Sequence, residues 1–204
     1  MPRFVFAFAG ALALALAFTG AARAQEEAPP PPHQQWSFQG VFGTYDPAAL
    51  QRGFQVYKEV CSACHPVKHL YFRDLTQIGY TADQVKGIAA QVQVTDGPNG
   101  QGALYQRPGK PSDTIPGPFA NDQAARATNT GALPPDLSLI VLARADSSLT
   151  KDLGAGADYV DALLQGFKQP PAGFHLSSGM NYNIYFPGNQ IAMPQPLAGN
   201  DVKY

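Results

Sequence analysis

The sequence predicts an all-α domain built of short helices and long loops. Three observations predict it. Apolar residues recur at helical spacing, but only in short runs. The 20 glycines and 19 prolines crowd the stretches between those runs, and no apolar–polar alternation is long enough for a sheet. Third, both cysteines of the chain fall in one stretch, Val60-Cys61-Ser62-Ala63-Cys64-His65-Pro66.

That stretch reads C-x-x-C-H, the attachment pattern of a c-type haem. Thiols three positions apart can reach the two vinyl groups of one porphyrin and form thioethers. The histidine beside the second cysteine then lies under the ring, where its imidazole can ligate iron. Two other readings are weaker. A redox dithiol of the thioredoxin kind wants a strand–turn–helix context, which the flanking residues do not supply. A zinc site needs more ligands than two cysteines. The fold expectation therefore sharpens: short helices and long loops wrap one covalent haem, which closes a core the apolar content alone would not.

The chain has 204 residues, with 14 basic and 15 acidic side chains. Residues 1–24 read as a signal peptide. Arg3 supplies a positive start, Phe4 to Phe18 an apolar run, and Ala22-Arg23-Ala24 an A-x-A-like cleavage site. The apolar run is short for a membrane span. Cleavage would leave 12 basic against 15 acidic residues, a mildly acidic exported protein and a poor nucleic-acid binder.

Residues 25–35 read as an extended, mobile linker with four consecutive prolines, Pro29 to Pro32. His33 within it is expected to be solvated. Residues 36–204 form the domain. Trp36, Phe38, Val41 and Phe42 are expected to pin its N-terminal end. Asp46-Pro47 starts a helix, an N-cap acceptor before a proline. Leu50, Phe54 and Tyr57 mark one face of that helix, which leads into the haem motif. Gly53 within it costs about 1 kcal/mol relative to alanine, and close approach by another helix would explain it. Thr81-Ala82-Asp83-Gln84 fits a capping box ahead of Val85, Ile88, Ala89 and Val92. Asp96 to Pro118 reads as a long loop, of the kind that wraps something. Asn121 caps a short helix, Pro134-Pro135-Asp136 starts another reaching Arg144, and 158–165 forms a further one ended by Gly166. The chain from Gln169 to Leu197 is mostly turns.

His65 supplies one axial ligand, and a second is expected from His or Met. His69 is too close to His65 to reach the opposite face of the ring. Met193 is favoured because Pro194 and Pro196 restrict the backbone around it. Met180, between Gly179 and Asn181, and His175, in a loop, stay open on the residues alone.

Several stretches together resemble the cytochrome c1 family, the haem subunit of the quinol–cytochrome c oxidoreductase. They are the run from Arg52 to His65, Asp96-Gly97-Pro98-Asn99, Arg107-Pro108-Gly109-Lys110 and Ala124-Ala125-Arg126-Ala127 with Asn129. Gly131 to Ser138, Tyr182 to Gly188 and Ile191-Ala192-Met193-Pro194 complete the set. The resemblance implies a cytochrome c-like fold and one haem c. It would be attached through Cys61 and Cys64 and ligated by His65 and Met193. It places Arg144 at a haem propionate, where a guanidinium can fork onto a carboxylate. It places Tyr57, Asn129, Pro134, Pro135 and Tyr159 in the pocket lining.

The resemblance also implies partners: a cytochrome b subunit, a Rieske iron–sulfur protein as electron donor, and a soluble cytochrome c as acceptor. It implies a location on the periplasmic face of the bacterial inner membrane. Family members continue past the methionine with a further helix and a membrane anchor, whereas this sequence stops at Tyr204. The expectation is a chain truncated before that part, which leaves the Leu50, Phe54 and Tyr57 face unusually exposed. No side chain would act as acid, base or nucleophile, because the chain positions and tunes a cofactor. Two rival functions follow from the same motif. One is a free-standing periplasmic c-type carrier. The other is a haem enzyme or gas sensor, which needs an open sixth position and has His175 as its visible distal candidate.

Overall fold

The computed structural model describes residues 28–145, 153–199 and 202–203. The signal-peptide reading of residues 1–24 lies outside the described residues. Among the described residues five α-helices follow in order: α1 Pro47–Glu59, α2 Ala82–Ala90, α3 Asp122–Thr128, α4 Ile140–Arg144 and α5 Leu153–Gln165. A turn of 3₁₀ helix at Cys61–Ala63 and a longer one at Phe72–Ile78 sit between α1 and α2. The fold is the mostly helical, loop-rich one the sequence predicts.

The helix starts follow from side-chain capping. Asp46 accepts the Ala48 N–H at 3.0 Å ahead of Pro47. Thr81 accepts from Gln84 N at 3.2 Å while the Gln84 side chain accepts from Thr81 N at 2.8 Å, a complete capping box. Asn121 accepts from Ala124 N at 2.8 Å and starts α3.

Phe72, Leu75, Val85 and Ala89 form the core, where the 3₁₀ segment meets α2. Phe54 from α1 and Tyr80 pack on it edge to face, with ring centroids 6.0 Å apart. Gln51 ties α1 to the same segment by donating to the Ile78 carbonyl at 3.0 Å. No residue of α1 is fully buried, and Leu50, Phe54 and Tyr57 are only half covered. A Cβ at Gly53 would meet nothing within 4 Å. Among the described residues, then, no helix lies against Gly53.

Four expectations need correction. The stretch from Asp96 to Pro118 is not a bare loop. Strands β1 Gln93–Asp96 and β2 Tyr105–Pro108 pair antiparallel, Gln93 opposite Pro108 and Asp96 opposite Tyr105. A second short ladder pairs β3 Asn181–Tyr182 with β4 Gln190–Ile191. Neither is long enough to write an alternating pattern into the sequence. Second, the helix expected at Pro134 starts at Ile140, because the Asp136 carboxylate turns back to the Ser138 N–H at 2.8 Å. Third, α5 begins at Leu153, earlier than 158, and Gly166 at its end does not cap it by left-handed backbone. Gly166 is needed because a Cβ would lie 2.6 Å from Asn183 Oδ1 and 2.8 Å from Tyr185 Cδ2.

The fourth correction concerns the N-terminal end of the domain. Trp36 and Phe38 stack at 5.8 Å, and Phe38 and Tyr45 at 5.1 Å. Val41 and Phe42 pin nothing, each being 95% exposed. Residues 33–36 are instead fastened to α5 through the buried Asp158. Its carboxylate accepts from Gln34 N at 3.0 Å and Trp36 Nε1 at 2.7 Å, and lies 2.9 Å from His33 Nδ1. His33 keeps an exposed ring but does not stand free in solvent.

Candidate haem site

The motif follows α1 directly. Val60 closes the helix, its N–H bonded to Val56 O. Cys61–Ala63 makes a single 3₁₀ turn, in which Cys64 N and His65 N both bond to Cys61 O, at 3.1 and 2.9 Å. The turn brings the two cysteines and the histidine onto one compact loop. Both thiols are free and half-buried. Burial, with a smaller contribution from Cys64, raises the Cys61 thiol pKa above its ordinary value.

His65 is set by its neighbours. Its Nδ1 lies 2.8 Å from the Pro135 carbonyl oxygen. A carbonyl can only accept, so Nδ1 carries a proton, and in the neutral ring the lone pair is then on Nε2. That tautomer is the one that presents Nε2 to a metal. Tyr57 reaches the same residue from α1, its hydroxyl donating to the His65 carbonyl at 3.2 Å. Burial first, then the charges of Asp136 and Cys61, push the Tyr57 pKa up to about 12. Tyr57 is therefore a neutral donor at physiological pH.

The loop carrying Pro135 is sewn to the motif loop. Leu137 N bonds to Pro66 O at 2.9 Å, Lys68 N to Asp136 Oδ2 at 2.8 Å, and His69 N to Ser138 Oγ at 3.1 Å. Cys64, Pro66, Phe119, Leu133, Pro134 and Pro135 line an open pocket beside this seam. Asn129 stands at the end of α3, donating from Nδ2 to Ala125 O at 2.7 Å, and leads into the Gly131–Pro135 turn.

Arg144 and Tyr159 are brought together where α4 meets α5, with the guanidinium carbon 5.8 Å from the ring centroid. Arg144 is exposed and Tyr159 half-buried. Met193 follows β4 and is half-buried, and its carbonyl accepts from Asn181 Nδ2 at 3.3 Å. Met180 is 40% exposed and His175 is exposed.

Sequence reasoning passed over two organisers. Asp136, with Ser138, fixes the loop behind His65, and an Asp two residues ahead of a serine is a recognisable turn former. Asn183 is fully buried and ties the Met193 region to α5, donating from Nδ2 to Leu163 O at 2.8 Å. A single buried asparagine leaves no pattern in a sequence.

The residues present fit a haem. Two free thiols and an imidazole donating to Pro135, on one C-x-x-C-H loop of a mostly helical, loop-rich domain, are the site of a haem-binding protein of cytochrome c-like fold. The profile of the Cytochrome C1 family matches residues 36–204, and the chain belongs to that family. It is 48% identical over 174 residues to "Cytochrome c1, heme protein, mitochondrial" of Saccharomyces cerevisiae, covering 85% of this chain and 53% of the yeast protein. It is 44% identical over 173 residues to "Cytochrome c1 2, heme protein, mitochondrial" of Arabidopsis thaliana, covering 85% and 53%. A bacterial relative, "Cytochrome b/c1" of Bradyrhizobium diazoefficiens, is 46% identical over 196 residues, 90% of this chain and 28% of that protein. The chain thus spans about half the length, or less, of these curated relatives. Among the described residues no helix is long and apolar enough to cross a membrane.

Proposed function

We propose that this chain is the haem-bearing electron-transfer subunit of a quinol–cytochrome c oxidoreductase. Cys61 and Cys64 attach one haem c by thioether bonds, and His65 and Met193 are its axial ligands. When bound, the haem supplies a one-electron couple. The protein's residues hold and tune it. Pro135 orients the His65 imidazole, Tyr57 anchors the His65 backbone, and Met193 fills the sixth position with a neutral thioether, which raises the potential. Arg144 balances a propionate charge beside Tyr159. Asn129, Pro134 and Pro135 border the ring.

Electrons arrive from a Rieske iron–sulfur protein and leave to a soluble cytochrome c. A cytochrome b subunit is the membrane partner, and a C-terminal anchor holds the domain at the periplasmic face of the bacterial inner membrane. The names of two relatives support this assembly: "Cytochrome b/c1" and, in Candida albicans, "Cytochrome b-c1 complex catalytic subunit, mitochondrial". The observation that carries the reading is the His65 Nδ1 to Pro135 O contact of 2.8 Å, which readies Nε2 for iron within a C-x-x-C-H loop.

The test is to mature the chain in a host that exports and attaches haem c. Haem should stay with the polypeptide on a denaturing gel and be lost when Cys61 and Cys64 are both replaced by serine. The reduced protein should refuse carbon monoxide, and Met193→Leu should admit it. Covalent haem with free carbon monoxide binding in the unaltered protein would turn the assignment to a haem enzyme or gas sensor. Failure of the full-length gene product to purify with cytochrome b would turn it to a free-standing carrier.

A further inference from the structure

We propose that Asp136 is a positioning residue for the axial histidine. The inference rests on the haem reading above and goes beyond the ligand set. The carboxylate of Asp136 bridges two loops with one oxygen each. Oδ2 accepts from Lys68 N, in the loop that carries His65, at 2.8 Å. Oδ1 accepts from Ser138 N, in the loop that carries Pro135, also at 2.8 Å. The residue is thus joined covalently to the carbonyl that holds His65 Nδ1 and by hydrogen bond to the segment three residues beyond His65.

The two prolines explain why such a clamp is needed. Pro134 and Pro135 have no N–H, so neither can fix the Pro135 carbonyl by donating a backbone bond of its own. What holds that carbonyl in place is the seam that follows it: Asp136 to Lys68, Leu137 to Pro66, and Ser138 to His69. In that seam Asp136 is the charged member, and its two oxygens accept one backbone N–H from each loop. It also puts a negative charge on the histidine side of the site, close enough to act on the Tyr57 hydroxyl. A negative charge there favours the oxidised, more positive iron and lowers the potential. A firm acceptor on Nδ1 makes the imidazole a stronger donor and works in the same direction.

The experiment compares the haem-loaded protein with Asp136→Asn, Asp136→Glu and, as a control, Asp122→Asn. Asp122 is an exposed carboxylate 3.8 Å from the Lys68 ammonium. Its loss removes charge near the seam and leaves the clamp intact. Two readouts are taken: the electron paramagnetic resonance spectrum of the ferric protein, which reports the orientation of the axial ligands, and the equilibrium constant for reduction against a fixed reference couple.

Asp136→Asn should change the ligand-orientation signature and shift the equilibrium toward reduction by about tenfold. Asp136→Glu keeps the charge but moves it by a methylene, so it should change the signature while moving the equilibrium less. Asp122→Asn should leave the signature alone. If haem is attached in both Asp136 variants and neither the signature nor the equilibrium moves, the positioning role is overturned. Should Asp136→Asn fail to accumulate, the Glu variant decides, and an unaltered signature in it overturns the role. If the unaltered chain takes up no covalent haem, the underlying haem reading fails instead.

Discussion

The Trp36 indole and the Asp158 carboxylate meet across the fold, Nε1 donating to Oδ1 over 2.7 Å and 122 residues of sequence. His33 and the Gln34 N–H converge on the same carboxylate. One buried side chain of α5 thus holds the start of the domain, and the next residue is Tyr159, stacked under Arg144.

This strap predicts an acid-sensitive N-terminal segment. Burial alone would raise the Asp158 pKa, but the bonds from His33, Trp36 and Gln34 outweigh it and leave the pKa below its ordinary value. A carboxyl with a depressed folded pKa stabilises the fold above its unfolded pKa, about 3.9. That stability is lost as pH falls through the folded value. Trp36 is the only tryptophan of the chain, so its emission reads the strap directly. It should shift on acidification below about pH 4, and it should already be shifted at neutral pH in Asp158→Ala. That variant should lose about 1–2 kcal/mol of unfolding free energy in urea. Emission unchanged by the substitution would show that the strap does not hold Trp36.

Gly156 and Gly53 should answer an alanine substitution with opposite signs. A Cβ at Gly156 would lie 2.0 Å from the Val141 carbonyl oxygen and 2.9 Å from Ala145 N. These are backbone atoms of α4 and its cap and cannot swing aside. Gly156→Ala must part α4 from α5, and overpacking of this kind costs about 1–3 kcal/mol. It would also separate Arg144 from Tyr159. Gly53 lies in α1 with open space where its Cβ would be. Gly53→Ala should stabilise the domain by about 0.5–1 kcal/mol through helix propensity. Thermal unfolding of the two variants side by side checks both signs.

Arg107 closes the β1–β2 hairpin onto the body of the domain. Its guanidinium bonds to Asp113 through both terminal nitrogens, at 2.6 and 3.0 Å, and through Nε to Asp96. The hydrogen bond from Arg107 is the largest cause that holds the Asp113 pKa down to about 2. Asp96 is lowered by the same partner. Both carboxylates are depressed, so the bridge is complete at neutral pH and is lost as pH falls below about 4 toward 2. In Arg107→Gln the Asp113 carboxyl carbon should titrate in the ordinary carboxylate range by nuclear magnetic resonance. A titration in that variant still near pH 2 would show that the Lys110 backbone N–H, which donates to Asp113 at 2.7 Å, suffices alone.

What the sequence made legible was local chemistry. The Thr81–Gln84 capping box and the Asp46 and Asn121 caps each depend on residues within four positions, and each forms where expected. What it hid depended on distant partners. Pro134-Pro135-Asp136 carries a helix-start signature, yet Asp136 is engaged by Ser138 and Lys68, and the helix waits until Ile140. The hairpin of β1 and β2 has no apolar face to alternate, and its closure comes from charges eleven residues apart, Asp96 and Arg107. Gly166 reads as a helix cap and Gly156 carries no signal in the sequence, yet both are needed for close approaches, to Asn183 and to α4.

Asn183 gives the sharpest separation of folding from cofactor binding. It is fully buried, and every polar group of it is engaged. Its amide donates to Leu163 O at 2.8 Å, its side-chain oxygen accepts from Tyr185 N at 3.0 Å, and its backbone N–H donates to Asn189 O at 3.1 Å. Asn189, also buried, donates back to the Asn183 carbonyl at 3.3 Å and the Ile184 carbonyl at 3.0 Å. The β3–β4 ladder built on this knot ends two residues before Met193. Asn183→Ala takes the acceptor from the Tyr185 N–H and leaves the Leu163 carbonyl with only the 3.3 Å bond from Gly166 N, and should cost about 1–3 kcal/mol. Asn183→Asp keeps the acceptor but sets a carboxylate against the Leu163 carbonyl, so it should be no better tolerated at neutral pH and should recover as acid protonates it. On the proposed attachment through Cys61 and Cys64 and ligation by Met193, both haem-loaded variants should keep covalent haem, while carbon monoxide binding appears as Met193 loosens. Carbon monoxide exclusion intact in an Asn183→Ala protein that has lost the stated stability would show that Met193 is held by something other than this knot.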